Sequence, residues 1–237
     1  MIRASAGATL DAGSAVDWGR TARFYDCQLA LERPALGMAV DLLAPQREDT
    51  LLDIGTGTGG LLRELARRPG RPSTAIGVDS SRAMLSRAPS LPDGWTLEQS
   101  DARRLPFEDG RFTAVTAAYL LHVVDPAARQ EVIAECRRVL RAGGRFVVVT
   151  PAWPRTRLGR MLYAPLAAAA ERASGPARGL GPLDPRALLE QAGFTITAAA
   201  HVARGYPSIC VAAALERPLA APMTAPTSCR HRSRAGG

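Results

Sequence analysis

The chain has 237 residues, a formal net charge of +8 and 46% hydrophobic residues; at this length it can bury roughly 70% of the surface its unfolded form exposes and needs no covalent staples. All thirty basic residues are arginine, and the absence of lysine removes the P-loop lysine, the Schiff base of pyridoxal enzymes and the Tyr-x-x-x-Lys relay of short-chain dehydrogenases. Four scattered cysteines without a C-x-x-C pair and three histidines argue against a metal site, and without a signal-like leader or a spanning apolar run the expected location is the cytoplasm.

Residues 1–16 are small, polar and aperiodic, and 216–237 are rich in Pro, Ala, Ser and Arg. Both read as poorly ordered ends, flexible at the start and a basic tail at the finish, around a folded body at 17–215. In chain order, Pro34 opens a helix that runs to Leu43 and precedes an apolar strand, Thr50 to Ile54. A helix from Gly60 to Arg68 stops at Pro69. The strand Thr74 to Asp79 is followed by Ser80 as N-cap of a helix over Arg82 to Ala88. Trp95 to Gln99 alternates at period two, turn residues fill 106–110, and Phe112 to Ala118 is the fourth strand. Pro126 opens a helix with an apolar face of Val132, Ile133, Cys136, Val139 and Leu140, stopped by Ala142-Gly143-Gly144 before a fully apolar fifth strand, Arg145 to Thr150. The alternation pauses over 151–183. Asp184-Pro185 then starts a helix that Gly193 closes, and the runs Phe194 to Val202 and Ser208 to Leu215, joined through Gly205 and Pro207, form a hairpin. The pattern predicts an α/β fold, a sheet with helices on both faces.

The most informative stretch is Leu51-Leu-Asp-Ile-Gly-Thr-Gly-Thr-Gly-Gly-Leu62, a strand that passes through a glycine turn into a helix. Gly55, Gly57 and Gly60 fit the G-x-G-x-x-G spacing: a tight turn, a close backbone approach to a ligand, and a helix packed hard on its strand. In dinucleotide enzymes the helix N-terminus faces a pyrophosphate, which a nearby carboxylate repels. Asp53, inside the end of the strand, therefore argues for a cationic ligand. S-adenosylmethionine, with an ammonium, a sulfonium and a carboxylate, suits a helix N-terminus beside an acid better than a pyrophosphate does. The alternative for Asp53 is a hydrogen bond to the glycine turn alone.

Five βα units, a terminal hairpin and Asp53-Ile-Gly-Thr-Gly-Thr-Gly resemble the class I S-adenosylmethionine-dependent methyltransferases, most of all the subgroup of ubiquinone and menaquinone C-methyltransferases. An acid ending the second strand (Asp79), an acid after the third (Asp101), Leu105-Pro106-Phe107, Arg138-Val-Leu-Arg-Ala-Gly-Gly144 and the early Tyr25-Asp26 carry the match in order. The resemblance implies a Rossmann-like sheet of seven strands, mostly parallel with a C-terminal antiparallel hairpin. It implies S-adenosylmethionine as cofactor, met by Asp53, Gly55, Thr56 and Gly57 in the loop. Asp79 would accept the ribose hydroxyls, with Ser80 beside the adenine; Asp101 would accept the adenine amine, with the Ala102 amide on a ring nitrogen. Tyr119 would wall the pocket and Tyr25 would lie on the lid. Plain structural roles remain open for each: a cap for Asp79, a turn for Asp101, core positions for the tyrosines.

Methyl transfer is an in-line displacement at carbon that needs alignment and a dry pocket, with no protein nucleophile; a hydroxyl or acidic-carbon acceptor also profits from a general base. His122, after the fourth strand and with a side chain that titrates near neutrality, is the candidate base, against a hydrogen-bonded structural role near Asp125. The segment 151–183 is the acceptor-side insertion or lid, and Trp153 and Tyr163 are candidate acceptor contacts. Its arginines fit either a solvated lid face, the simpler reading, or peripheral contact with a membrane. The expected partner is a small apolar or aromatic acceptor, methylated on oxygen or carbon, with no nucleic acid. The rivals are an NAD(P)-dependent oxidoreductase, which Gly55, Gly57, Gly60 and Asp79 also fit, and a catalytically silent methyltransferase-like binding protein. Neither the acceptor nor the oligomeric state is written in the sequence.

Overall fold

A computed structural model describes residues 2–4, 18–172 and 181–216. Its first elements are β1 (Ile2–Ala4) and α1 (Trp18–Leu43), followed by β2 (Thr50–Ile54), α2 (Gly60–Ala66), β3 (Thr74–Asp79), α3 (Arg82–Leu85) and β4 (Trp95–Gln99). The second half holds β5 (Phe112–Ala118), α4 (Arg129–Val139), β6 (Leu140–Pro151), α5 (Arg157–Arg172), α6 (Arg186–Gln191), β7 (Thr195–Val202) and β8 (Ser208–Ala214). The seven expected strands form one sheet in the order β4-β3-β2-β5-β6-β8-β7, and β1 adds a short parallel strand on the β4 edge. Pairing is parallel from β4 through to β6; β8 runs antiparallel to both β6 and β7. Apart from 2–4 and 216, the N-terminal segment and the basic tail lie outside the described residues.

Strand periodicity sorts the core. Leu52 and Ile54 of β2 face one side, against Val132, Ile133 and Cys136 of α4 and Leu189 of α6; Leu51 faces the other, against Leu36, Val40 and Leu43 of α1 and Leu62 and Leu65 of α2. Both faces are covered at the centre of the sheet, which is why β2, β5, β6 and β8 read as near-continuous apolar runs, whereas β7 at the edge alternates. Arg145 at the lower edge binds the Leu43 and Ala44 carbonyls and pairs with buried Asp49, so the end of α1 is tied to β6.

Several boundaries differ from the sequence reading. Pro34 does not open a helix; it lies inside α1, which begins at Trp18. The proline cannot donate to the carbonyl of Ala30, at a local cost of about 3 kcal/mol. Ala30 and Pro34 are both exposed, however, while Ala35, Leu36, Ala39, Val40 and Leu43 on the opposite face are buried and hold the helix through the break. The N-cap of α3 is Ser81, whose hydroxyl accepts from the Met84 amide at 3.3 Å, not Ser80. The helix expected from Pro126 begins at Arg129 and ends at Val139, and Leu140 to Gly144 are already extended within β6. About half of the pause at 151–183 is α5, and Thr156 just before it accepts from the Gly159 amide at 3.1 Å as the cap of the first turn.

The tight helix-to-strand approach also sits elsewhere. A Cβ on Gly77 of β3 would meet Leu62 of α2 at 2.9 Å, so a glycine on the strand lets helix and strand close, while α2 itself begins at Gly60.

Candidate functional site

The chain moves from β2 to β3 and β4 in one direction, then returns to place β5 and β6 on the other side of β2. In open α/β sheets, such a reversal leaves a crevice outside the carboxyl ends of the two central strands. The loop after β2 lines it. Gly55 and Gly57 have φ of +69° and +56°, which a side chain tolerates poorly; the Thr56 amide is anchored on the Val78 carbonyl at 2.9 Å. Across the crevice Tyr119, directly after β5, has φ +55°. A strained tyrosine here persists only because its surroundings fix it: its amide donates to Val149 O at 2.8 Å, and its hydroxyl lies 2.7 Å from Ser208 Oγ on β8. The Ser208 hydroxyl hydrogen is already given to Tyr206 O at 2.8 Å, so Tyr119 is the donor of that pair.

Acidic groups dominate the crevice. Asp53, at 1% exposure, accepts from Thr116 Oγ1 at 2.8 Å through Oδ1, while no hydrogen bond of good geometry reaches Oδ2, although the Thr56 hydroxyl lies near enough to favour the charged carboxylate. Burial, with the charge of Asp79 as a lesser cause, pushes the Asp53 carboxyl up to about 6. A cavity lined by Glu32, Leu36, Asp53, Thr56, Leu61 and Tyr119 has no basic side chain among the described residues that line it. Glu32 is a second carboxylate at 1% exposure. A buried carboxylate oxygen without a good hydrogen bond, as Asp53 Oδ2 is, is expensive unless a cation meets it, so the chemistry around Asp53 fits a positively charged group. Sequence reasoning missed Glu32 because it started the helix at Pro34. Extended through the proline, positions 32, 35, 36, 39, 40 and 43 share one helical face, and an acid on an otherwise apolar face is the signal that could have found it.

Asp79 joins the two loops: Oδ2 accepts from the Gly57 amide at 2.9 Å and Oδ1 from the Ser81 amide at 2.8 Å, with burial raising the carboxyl's pKa against both bonds. The cap expected as its alternative role is not what Asp79 supplies, because Ser81 is the N-cap of α3; Asp79 instead holds the turn into that helix through the Ser81 amide, beside a bond to the glycine loop that local sequence does not reveal. Ser80 is exposed and its carbonyl accepts from Gln99 Nε2 at 2.9 Å. Asp101, with Ala102 after it, stands beside this edge. Its carboxylate is held by Arg103 through both oxygens, Nη2 at 2.7 Å, and that pairing keeps it below the usual carboxylate range.

The remaining candidates form an aromatic wall. His122 is buried with its ring edge-on to Tyr119, centroids 6.0 Å apart. Trp153 meets Tyr163 edge-on at 5.6 Å, and the Tyr163 hydroxyl lies 3.1 Å from that of Tyr206. Tyr206, whose ring centroid is 6.4 Å from that of Tyr119, closes the series and was not foreseen. It sits on the β7–β8 turn, and its amide donates to Leu31 O of α1 at 2.9 Å. A Cβ on Gly205, φ +76°, would lie 2.0 Å from that same carbonyl, so only glycine lets the turn seat against α1. Tyr25 lies in α1, with its side chain outside the described residues. Among these residues no cluster of metal-ligating side chains is found, and no helix is long and apolar enough to cross a membrane.

Residues 51–144 match the family model described as a methyltransferase domain. Over that stretch the chain is similar to methyltransferases. It is 38% identical over 120 residues to a demethylmenaquinone methyltransferase of Thermotoga maritima, covering 50% of each chain. It is 34% identical over 120 residues to a ubiquinone/menaquinone biosynthesis C-methyltransferase of Geobacter sulfurreducens, covering 48% of this chain and 46% of that one. The matched stretch thus spans about half the length of these relatives. In three dimensions the domain superposes on an S-adenosylmethionine-dependent methyltransferase of Thermotoga maritima with a TM-score of 0.63 at 18% identity, over 84% of this chain and 98% of that one. The last likeness establishes the Rossmann-like methyltransferase fold and nothing of the reaction.

Proposed function

We propose that this protein binds S-adenosylmethionine at the β2/β5 crevice and catalyses transfer of a methyl group to a small apolar or aromatic acceptor, on oxygen or carbon. The observation that carries the reading is the buried Asp53 carboxylate, with Glu32 a second acid on the same cavity, whose described lining holds no basic side chain. When bound, S-adenosylmethionine supplies an electrophilic methyl group on a positively charged sulfur. Asp53 and Glu32 would face its cationic end, Gly55 to Gly57 would leave room for the backbone approach, and Asp79 keeps a lone pair on each oxygen for the ribose. Asp101 and Ala102 would border the adenine. A pyrophosphate would meet two buried carboxylates instead, which weighs against a nicotinamide cofactor.

On the acceptor side the wall of Tyr119, His122, Tyr163, Tyr206 and Trp153 excludes water and suits a flat apolar molecule, in keeping with the quinone names of the relatives. His122 is the group within this wall suited to take a proton from a hydroxyl or acidic carbon. Positioning two reactants in such a pocket supplies on the order of 7–11 kcal/mol of the barrier. The test is calorimetric titration of the full chain with S-adenosylmethionine and with NADH, followed by transfer of a labelled methyl group into cell extracts. Binding of the first alone, with label in an organic-extractable product, supports the reading; tight NADH binding overturns it, and S-adenosylmethionine binding without transfer into any extract points to the silent binding protein.

A further inference from the structure

The lid helix has two apolar faces. Tyr163, Ala167 and Ala170, at i, i+4 and i+7 along α5, are buried against the body. On the opposite face Leu158, Met161 and Leu162, at i, i+3 and i+4, are 63%, 67% and 69% exposed, and Trp153 beside them is 41% exposed. These four are all but one of the strongly exposed large apolar side chains among the described residues. Trp153, Met161, Ala164 and Arg160 line one shallow hollow. The solvated arginine face expected for a lid is therefore not what α5 presents: its outer face is apolar and the arginines flank it. From 151 to 170 the sequence holds Arg155, Arg157 and Arg160 and no acid.

From this placement we infer that the outer face of α5, with Trp153, docks on an anionic lipid membrane. Apolar side chains clustered on one face and flanked by arginine, with a tryptophan at the margin, are the features by which a helix lies in a lipid interface, its apolar face in the acyl boundary and its cations among anionic headgroups. The charge selects a lipid surface over a second copy of this chain, because two such faces would bring like charges together. The inner side of the same helix carries Tyr163, which touches both Trp153 and Tyr206. Docking would thus set the aromatic wall at the membrane surface, where apolar molecules dissolve. The inference goes beyond the methyl-transfer reading and stands without it, since lipid binding is read with no cofactor present.

The test is co-sedimentation of the full chain with vesicles of phosphatidylcholine containing about one third phosphatidylglycerol, against phosphatidylcholine alone. The expected result is binding to the anionic vesicles that weakens as salt rises. The triple variant Leu158→Ser, Met161→Ser, Leu162→Ser should lose tenfold or more in affinity, and Arg155→Gln with Arg157→Gln severalfold. All five side chains are exposed, so the thermal midpoint should not move. A blue shift of tryptophan emission on binding, absent in Trp153→Phe, would place this face in the lipid. Failure of the wild-type chain to bind overturns the inference. So does full binding by the triple variant, which would put the contact on the basic tail, and so does a dimer that the triple variant dissociates without any lipid binding.

Discussion

Replacing Asp53 with asparagine should move stability and affinity in opposite directions. The unfolded chain titrates this carboxyl near 3.8, whereas burial raises it to about 6 in the fold. A raised carboxyl pKa means that the folded state prefers the proton. Its destabilising effect is absent below about pH 4, grows as pH rises towards 6, and at pH 7 reaches about 3 kcal/mol. Asparagine removes that cost and can still accept from Thr116, but leaves an amide to satisfy at about 1–3 kcal/mol. The net expectation is a cofactor-free protein more stable by up to about 2 kcal/mol, a rise of up to roughly 6 °C in the thermal midpoint. Affinity for S-adenosylmethionine should fall by about 1.5–3 kcal/mol, some 10- to 150-fold, because a charge-assisted contact with the ligand's cationic end is lost. Calorimetric titration and thermal melts at pH 7 read the two effects. In the wild type, affinity should also decline towards tenfold per pH unit below about pH 6 as Asp53 takes its proton; the variant should lack that dependence. A variant that binds within twofold of wild type and melts several degrees lower would refute the reasoning and leave Asp53 as a prop for the glycine turn.

Asp79→Ala, which frees the Gly57 and Ser81 amides, should cost 1–3 kcal/mol of cofactor affinity by titration; unchanged affinity in the folded variant would limit Asp79 to holding these two loops. Gly57→Val should abolish cofactor binding, because it forces a β-branched side chain to φ +56° inside the cradle, and tight binding by a folded variant would move the site elsewhere. For an oxygen or carbon acceptor, His122→Ala should leave cofactor affinity nearly intact and lower turnover by roughly 10²- to 10⁴-fold; turnover within a few fold of wild type would return His122 to the core. Arg138→Met should destabilise the fold by about 2–4 kcal/mol in denaturant titrations, since its guanidinium holds the Phe107 carbonyl at 2.7 Å, the Leu105 carbonyl at 3.1 Å and the Glu135 carboxylate. A loss under 0.5 kcal/mol would show that the loop before β5 stands without this clamp.

Much of what depends on neighbours in the chain was legible in the sequence, although the Ser81 cap and the helix α5 were not. The alternation of apolar runs with helical patterns, the glycine turn after Ile54, the acids at 53, 79 and 101 and the hairpin around Gly205 each arise within a few residues, where strand period, turn chemistry and motif spacing act. Tertiary structure decided what distant segments do to one another. Pro34 ends a helix by its own chemistry, yet the apolar face from Ala35 to Leu43 holds α1 together across it, and that packing carries Glu32 into the cavity. Tyr206 has no motif; it enters the aromatic wall because Gly205 lets the β7–β8 turn seat on the Leu31 carbonyl. The resemblance drew attention to Arg138, but its work, clamping the loop of Leu105 and Phe107 some thirty residues earlier, exists only once α4 packs beside that loop. The outer face of α5 followed the same rule. Its arginines could be counted in the sequence, but which side chains point away from the body was set by how Tyr163, Ala167 and Ala170 pack, because a helix with apolar residues on two faces can bury only one against its own sheet.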